Sequence, residues 1–277
     1  MSRTFVASVC AAAGAAVAVG GCGVSQVIDP VARAAAATAS APGYRVSALM
    51  SISGGSAPVT ARLRGTIDTA AGSGTISTDE MVAGQEVKAP MVFSGLNFWM
   101  RSAAIPGASK LTGGKPWIYV DMNKTLAAMG AGSLPGTTDP SQFLSYLTAA
   151  GAAPTRVASV SINGVPTTEY RALINLDRYA KADHASAQSI SAIETAIGSH
   201  TMPVQTWIDG NNRVRRIHVA FPECVAGSKV QFSMTMGIYD FGPQPQSQIP
   251  LRGEVYNLTP ALTAKYSNVS LGCASGG

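Results

Sequence analysis

Residues Val230 to Ile238 constrain the fold more tightly than any other stretch of this chain. Val230, Phe232, Met234, Met236 and Ile238 alternate with Gln231, Ser233, Thr235 and Gly237. Strict alternation is the period of a β-strand with one buried face and one wet face. A helix would scatter the same apolar side chains around its circumference and leave half of them in water. The period of two begins earlier, after Gly43. Val46, Ala48, Met50 and Ile52 alternate with Ser47, Leu49, Ser51 and Ser53, and Leu63, Gly65 and Ile67 alternate with Arg62, Arg64, Thr66 and Asp68.

Further strand candidates are 74–77, 86–92, 96–101, 117–122, 168–176, 204–209, 214–221 and 230–239. Turn-forming residues separate them: Ala71-Gly72-Ser73-Gly74, Gly113-Gly114-Lys115-Pro116, Asn163-Gly164 and Asp209-Gly210-Asn211-Asn212. The last of these lies between two β-rich runs and is a hairpin signal. Asp79-Glu80 reads as loop.

Helical patterns interrupt the strands. Asp29 can cap a helix whose first position is Pro30 and whose alanines continue to Ala41-Pro42-Gly43. A second starts at Asp139-Pro140, carries Phe143, Leu144 and Leu147, and stops at Gly151. A third, over 186–197, sets Ile190, Ile193 and Ile197 on one face, with Gly198 just beyond it. A weaker helical turn covers 123–129. Together these predict an α+β fold: a single curved antiparallel sheet whose apolar face is covered by a few helices. No repeat and no second composition block marks another domain.

The N-terminus reads as an export signal. Arg3 is the basic start, residues 5–19 form an uncharged run, and Val19-Gly20-Gly21-Cys22 follows. The run is shorter than the ~20 apolar residues of a membrane span, and small residues before the break fit a signal peptide. An apolar residue, two small residues and a cysteine form the lipobox pattern of bacterial lipoproteins, in which the thiol is acylated and becomes the new N-terminus. The alternative is plain secretion with Cys22 as an ordinary residue. The domain reading is therefore 1–21 signal peptide, 22–28 acylated terminus and short tether, and 29–277 one folded domain. Its location is the extracytoplasmic face of the cell membrane, through the anchor.

Of the remaining cysteines, Cys10 leaves with the signal, while Cys224 and Cys273 stay. Two thiols in an oxidising compartment pair in one way. The closed loop spans 49 positions, and the chain-entropy model gives such a loop about 4 kcal/mol.

Charged residues make up 13% of the chain, against roughly 25% in an average soluble domain. The formal balance is +5 but the basic residues are scattered, with Arg213, Arg215 and Arg216 as the densest group. Nucleic-acid binding wants a sustained basic stripe with aromatics, so it is not expected. Attraction to anionic lipid headgroups is compatible with the balance.

A catalytic reading finds no constellation. His184, His200 and His218 have no HxxxH or HExxH spacing, so no metal is expected. There is no GxSxG elbow or SxxK pair, and Pro116 follows Gly113-Gly114-Lys115, which blocks a phosphate cradle. Neither enzyme activity nor a cofactor is expected. Apolar and flexible material is plentiful instead: Met50, Met100, Met122, Met129, Met234 and Met236, with Phe98, Phe143 and Phe232. Methionine suits irregular apolar ligands as readily as core gaps.

Several stretches carry a family resemblance by order and spacing over nearly the whole mature chain. They are the lipobox at Cys22, the helix from Asp29 with its following Tyr44-Arg45-Val46 strand, and Gly114-Lys115-Pro116-Trp117-Ile118-Tyr119-Val120-Asp121. To these are added Ile162-Asn163-Gly164-Val165-Pro166-Thr167-Thr168-Glu169-Tyr170, Leu176-Asp177-Arg178-Tyr179 and Pro203-Val204-Gln205-Thr206-Trp207-Ile208-Asp209. The pattern resembles actinobacterial lipoproteins of the LppX and LprG kind and, more distantly, the lipoprotein carrier LolA. The Cys224/Cys273 pair and the Pro243 to Pro250 segment depart from it.

The resemblance implies a half-open β-barrel with helices on its concave face around an apolar cavity for acyl chains. The implied function is binding, and transfer, of a lipid or other amphiphile in the envelope. The expected ligand-binding residues are Met50, Phe98, Met100, Phe143, Leu147, Ile190, Ile193, Phe232, Met234 and Met236. The rival reading is a lipoprotein with a closed core that acts on an envelope protein partner.

Overall fold

The computed structural model describes residues 29–267 except 55–58, 83–84, 106, 129–143, 145–146, 148–153, 183–189, 192–193, 196 and 226–227. Cys22, Cys273, Phe143 and Ile193 therefore lie outside the described residues, as do the signal and tether.

The first described element behaves as its sequence dictates. Helix α1 spans Pro30–Ala39, with Asp29 accepting from the Val31 and Ala32 amides at 2.8 and 3.2 Å. A proline at the first position loses nothing, because that amide has no partner within a helix. Val31, Ala34, Ala35 and Thr38 form its buried side. Small side chains there let the helix lie close against β9 and β10 of the sheet.

Twelve strands form one open sheet: β1 Gly43–Ser53, β2 Val59–Asp68, β3 Ser73–Val82, β4 Gln85–Ser94, β5 Asn97–Arg101, β6 Trp117–Asp121, β7 Thr155–Ile162, β8 Val165–Asn175, β9 Thr201–Asp209, β10 Val214–Val225, β11 Ser228–Tyr239 and β12 Val255–Asn257. The spatial order is β12-β6-β5-β4-β3-β2-β1-β11-β10-β9-β8-β7. Two antiparallel meanders, β1 to β6 and β7 to β11, join where β1 pairs with β11, Met50 standing opposite Met234. The sheet is not wholly antiparallel. After β11 the chain runs as irregular backbone from Asp240 to Leu251 to the far edge, and there β12 pairs parallel to β6.

Local chemistry sets the turns. Asn163 and Gly164 join β7 to β8 with φ of 51° and 81°. Both values are positive, as the tight I′ hairpin turn requires, and Asn-Gly tolerates them best. Gly74 solves a different problem on β3. A Cβ there would stand 2.5 Å from the ring of Phe93, its register partner on β4. Without that Cβ the ring lies flat on the strand, and Phe93 is fully buried.

The other helices with described ends are α2 Ala108–Thr112, α3 Met122–Ala128, α4 Leu176–Ala182 and α5 Thr259–Tyr266. The turn expected over 123–129 is α3, where Asp121 accepts from the Lys124 amide at 3.1 Å. Of the helices expected over 140–151 and 186–197, the described residues Leu144, Leu147, Ile190 and Ile197 are helical and buried.

Several expectations need correction. Asp79-Glu80 belongs to β3, in register with Arg62 and Ala61 on β2; a run of Ser, Thr and acidic residues hid the strand period. Strands β7 and β12 and helices α2, α4 and α5 were not anticipated. Strand β7 is an edge strand with every residue but Ile162 exposed, so no hydrophobic alternation was written into it.

One main core lies on the inner face. It takes in Val31 and Ala35 from α1, Tyr44, Val46, Ile67, Phe93, Ile217 and Val219 from the strands, and Leu144 and Leu147 from the helical residues over them. A smaller core of Ala108, Ile118 and Val120 is closed by Leu258 and Leu262 near the β12 edge.

Candidate functional site

Cross-strand register gathers most of the expected ligand-binding residues on one face. Met50 pairs with Met234, and Met234 with Val219; Met236 pairs with Ala48 and Ile217; Phe232 pairs with Ile52 and Phe221. Across the other meander, Met91 stands opposite Met100 and Phe93 opposite Phe98. All lie on the inner face, because partners in register point the same way. The helical residues Leu147 and Ile190 pack against that face in the same cluster.

The set divides by burial. Leu147, Ile190, Met234 and Met236 are 0%, 4%, 4% and 3% exposed and belong to closed core. Met50, Phe98, Met100 and Phe232 are half-buried. Ala48, Leu63, Met91 and Phe221 share that condition and were missed as candidates. The signal that could have found them is the register: Ala48, Met91 and Phe221 stand opposite Met236, Met100 and Phe232, and Leu63 stands opposite Ala48. Aromatic pairs brace both ends of this ribbon, Phe93 with Phe98 at 6.0 Å and Phe221 with Phe232 at 5.0 Å between ring centres.

The Arg213 to Arg216 cluster is more than a solvated strand end. Asp209 is buried and its Oδ1 accepts from the Asn211 and Arg213 amides, both at 2.9 Å. Its Oδ2 accepts from Arg215 Nε at 2.6 Å. The guanidinium groups of Arg213 and Arg215 each lie 4.8 Å from the centre of the Phe241 ring. The cluster thus locks the β9–β10 hairpin to the segment leaving β11.

His200 meets Glu194, Nδ1 to Oε1 at 2.7 Å, with Asp177 of α4 close enough for the three to reach a common ion. HxxxH or HExxH spacing does not mark such a group, because its members come from two helical segments and the residue before β9. His200 is fully exposed, and the hydrogen bond and charge of Glu194 hold its imidazole pKa above the usual value. His218 instead bonds Thr235 Oγ1 at 2.9 Å on the outer face of the sheet.

On that outer face lies a cavity of about 520 Å³ that the sequence did not announce, lined in part by Arg171, Leu173, Pro203, Gln205, His218 and Ala220. Among the described residues no helix is long and apolar enough to cross a membrane.

Two of the solved structures to which this chain is similar are mycobacterial lipoproteins. The lipoprotein LppX of Mycobacterium tuberculosis is 11% identical, with 80% of this chain and 97% of that one covered at a TM-score of 0.47. LprF of Mycobacterium bovis is 12% identical, with 80% and 95% covered at a TM-score of 0.43. No family model and no curated protein matches the sequence.

Proposed function

We propose that this chain is a membrane-anchored envelope lipoprotein that takes the acyl chains of an amphiphile against the inner face of its sheet. The observation that carries the reading is the ribbon of half-buried apolar side chains there. Met50, Leu63, Met91, Phe98, Met100 and Phe232 lie on five strands of that face, on either side of β3, while Tyr44, Val46, Phe93 and Ile217 on the same face are fully closed. A large apolar surface left partly open between closed regions is what a ligand with apolar chains would cover. Methionine makes up half of those six positions, and its flexible thioether adapts to an acyl chain of variable shape.

The driving force is desolvation, about 0.8 kcal/mol for each CH₂ buried. Only shielding is required of the protein, and the reading needs no catalytic group. Acylation at Cys22 keeps the domain beside the bilayer from which the ligand comes. Transfer to an acceptor is the step that follows from a carrier held there.

Two measurements test this. Native mass spectrometry of the chain purified from its host membrane should show a co-purified lipid. A fluorescent acyl probe should bind saturably, and Met50→Trp, which fills the open ribbon, should weaken that binding about tenfold while melting temperature stays near the parent's. Non-saturable probe binding, with no lipid in the spectrum, would leave the ribbon as loosely covered core and favour the closed-core reading.

A further inference from the structure

The outer face of the sheet carries a second array, built from side chains that point away from the core. Register alone assembles it. Across β8, β9, β10, β11, β1 and β2 one row reads Arg171, Gln205, His218, Thr235, Leu49 and Arg62. The row beside it reads Glu169, Trp207, Arg216, Gly237, Ser47 and Arg64.

Four arginines therefore share two adjacent rows with one carboxylate, Glu169, which pairs with Arg171 at 3.5 Å. Asp79 follows Arg62 on β3 but makes no ion pair with it. Among the described residues, Arg62, Arg64 and Arg216 have no carboxylate partner; Arg216 instead lies over the Trp207 ring at 5.7 Å.

The outer-face cavity opens at one end of these rows, where Arg171, Gln205 and His218 offer hydrogen bonds beside the apolar side chains of Leu173, Pro203 and Ala220. Two large apolar side chains stand out from the same surface, Leu49 at 45% and Leu173 at 47% exposed. Isolated exposed leucines are ordinary. Here they sit among unpaired guanidinium groups and Trp207, the combination that a bilayer interface rewards: apolar tips entering the acyl boundary while cations meet phosphates.

We infer that this outer face docks on an anionic bilayer, with Arg62, Arg64, Arg171 and Arg216 meeting lipid phosphates and the Arg171–His218 cavity seating one headgroup. The occupant is chosen by charge complementarity, since the face is net positive and its polar groups are phosphate-binding types. The surface is distinct from the acyl ribbon, which lies on the opposite side of the same strands. It does not depend on that reading.

Cosedimentation of the full chain carrying Cys22→Ser, with no acyl anchor, tests the inference. Phosphatidylcholine vesicles report whatever the N-terminal segment contributes, and vesicles containing phosphatidylglycerol report the outer face. Binding should be stronger to the anionic vesicles and should weaken with salt. Each arginine near a charged surface is worth about a fivefold factor, so Arg62→Gln with Arg64→Gln should lower partitioning about 25-fold.

The control pair Lys110→Gln with Lys181→Gln removes the same charge from α2 and α4, away from these rows, and should change partitioning only a few-fold. Circular dichroism of each variant checks that it is folded. Equal binding to both vesicle types would overturn the inference, as would a control pair that loses as much as the arginine pair. Competition by soluble glycerol phosphate at matched phosphate concentration would also overturn it, by showing a site for a free anion. Acyl-probe uptake, read on the same arginine variants, should be unchanged; a chain that discriminates vesicles but takes up no probe loses the carrier reading and keeps this one.

Discussion

The hydroxyl of Thr38 accepts a hydrogen bond from the backbone amide of Val214 at 2.8 Å, across 176 positions of sequence, and donates to the Ala34 carbonyl at 2.7 Å. Both residues are fully buried. The β10–β11 ladder begins only at Arg216, so the Val214 amide lies beyond it and needs another partner. Helix α1 supplies that partner. The helix is therefore tied to the sheet by a polar contact as well as by its small apolar face.

Thr38→Val keeps the shape and removes the acceptor, stranding the Val214 amide in the core. Stability should fall by about 1–3 kcal/mol, read as a lower midpoint in urea with an unchanged slope. Thr38→Ser, which keeps the oxygen, should lose less. Equal losses for the two would mean the hydroxyl contributes nothing beyond packing.

The Asp209–Arg215 pair predicts a larger effect. Side-chain exposure is 1% for Asp209 and 17% for Arg215, so either charge left alone is poorly solvated. Asp209→Ala should destabilise by about 3–5 kcal/mol, because it also orphans the Asn211 and Arg213 amides. Adding Arg215→Met should recover part of that loss. A double variant whose cost is the plain sum of the single ones would show that the two groups act independently.

His200 predicts a pH dependence. Its pKa is raised from 6.5 by the Glu194 hydrogen bond and charge, so the imidazolium–carboxylate contact is fully present below that value. It is lost as pH rises through the higher value of the folded chain. Full exposure keeps the effect on stability small, so the ring proton shifts in an NMR titration are the measurement. Glu194→Gln should bring the midpoint back toward the ordinary histidine value; a midpoint that does not move would assign the shift to another group.

Cys224 lies on β10 and Cys273 beyond the described residues. Their proposed pairing would tie the C-terminal tail to the hairpin end of β10 and β11. Non-reducing peptide mapping of exported protein should recover the two linked, and Cys224→Ser should cost about 2–5 kcal/mol. Two alkylatable thiols in exported protein would exclude the bond.

What the sequence determined by itself is the part written in short-range chemistry. The alternation in β11 and β1 put Met50, Phe232, Met234 and Met236 on one face, because a strand turns each successive side chain over. Asp29 and Pro30 marked the start of α1, Asn163-Gly164 marked a turn, and Asp209-Gly210-Asn211-Asn212 marked the β9–β10 hairpin, because caps and tight turns are settled by neighbouring residues. Strand β7 stayed unread because an exposed edge strand need not alternate. The split of the ligand-binding candidates into closed and half-open side chains belongs to tertiary structure alone. Met234 is closed while Met50, opposite it on the neighbouring strand, is half-open, and no local pattern encodes that difference. The same holds for Thr38 and Val214, and for the arginine rows of the outer face. Those residues are strangers in sequence, and only the order of the strands makes them neighbours.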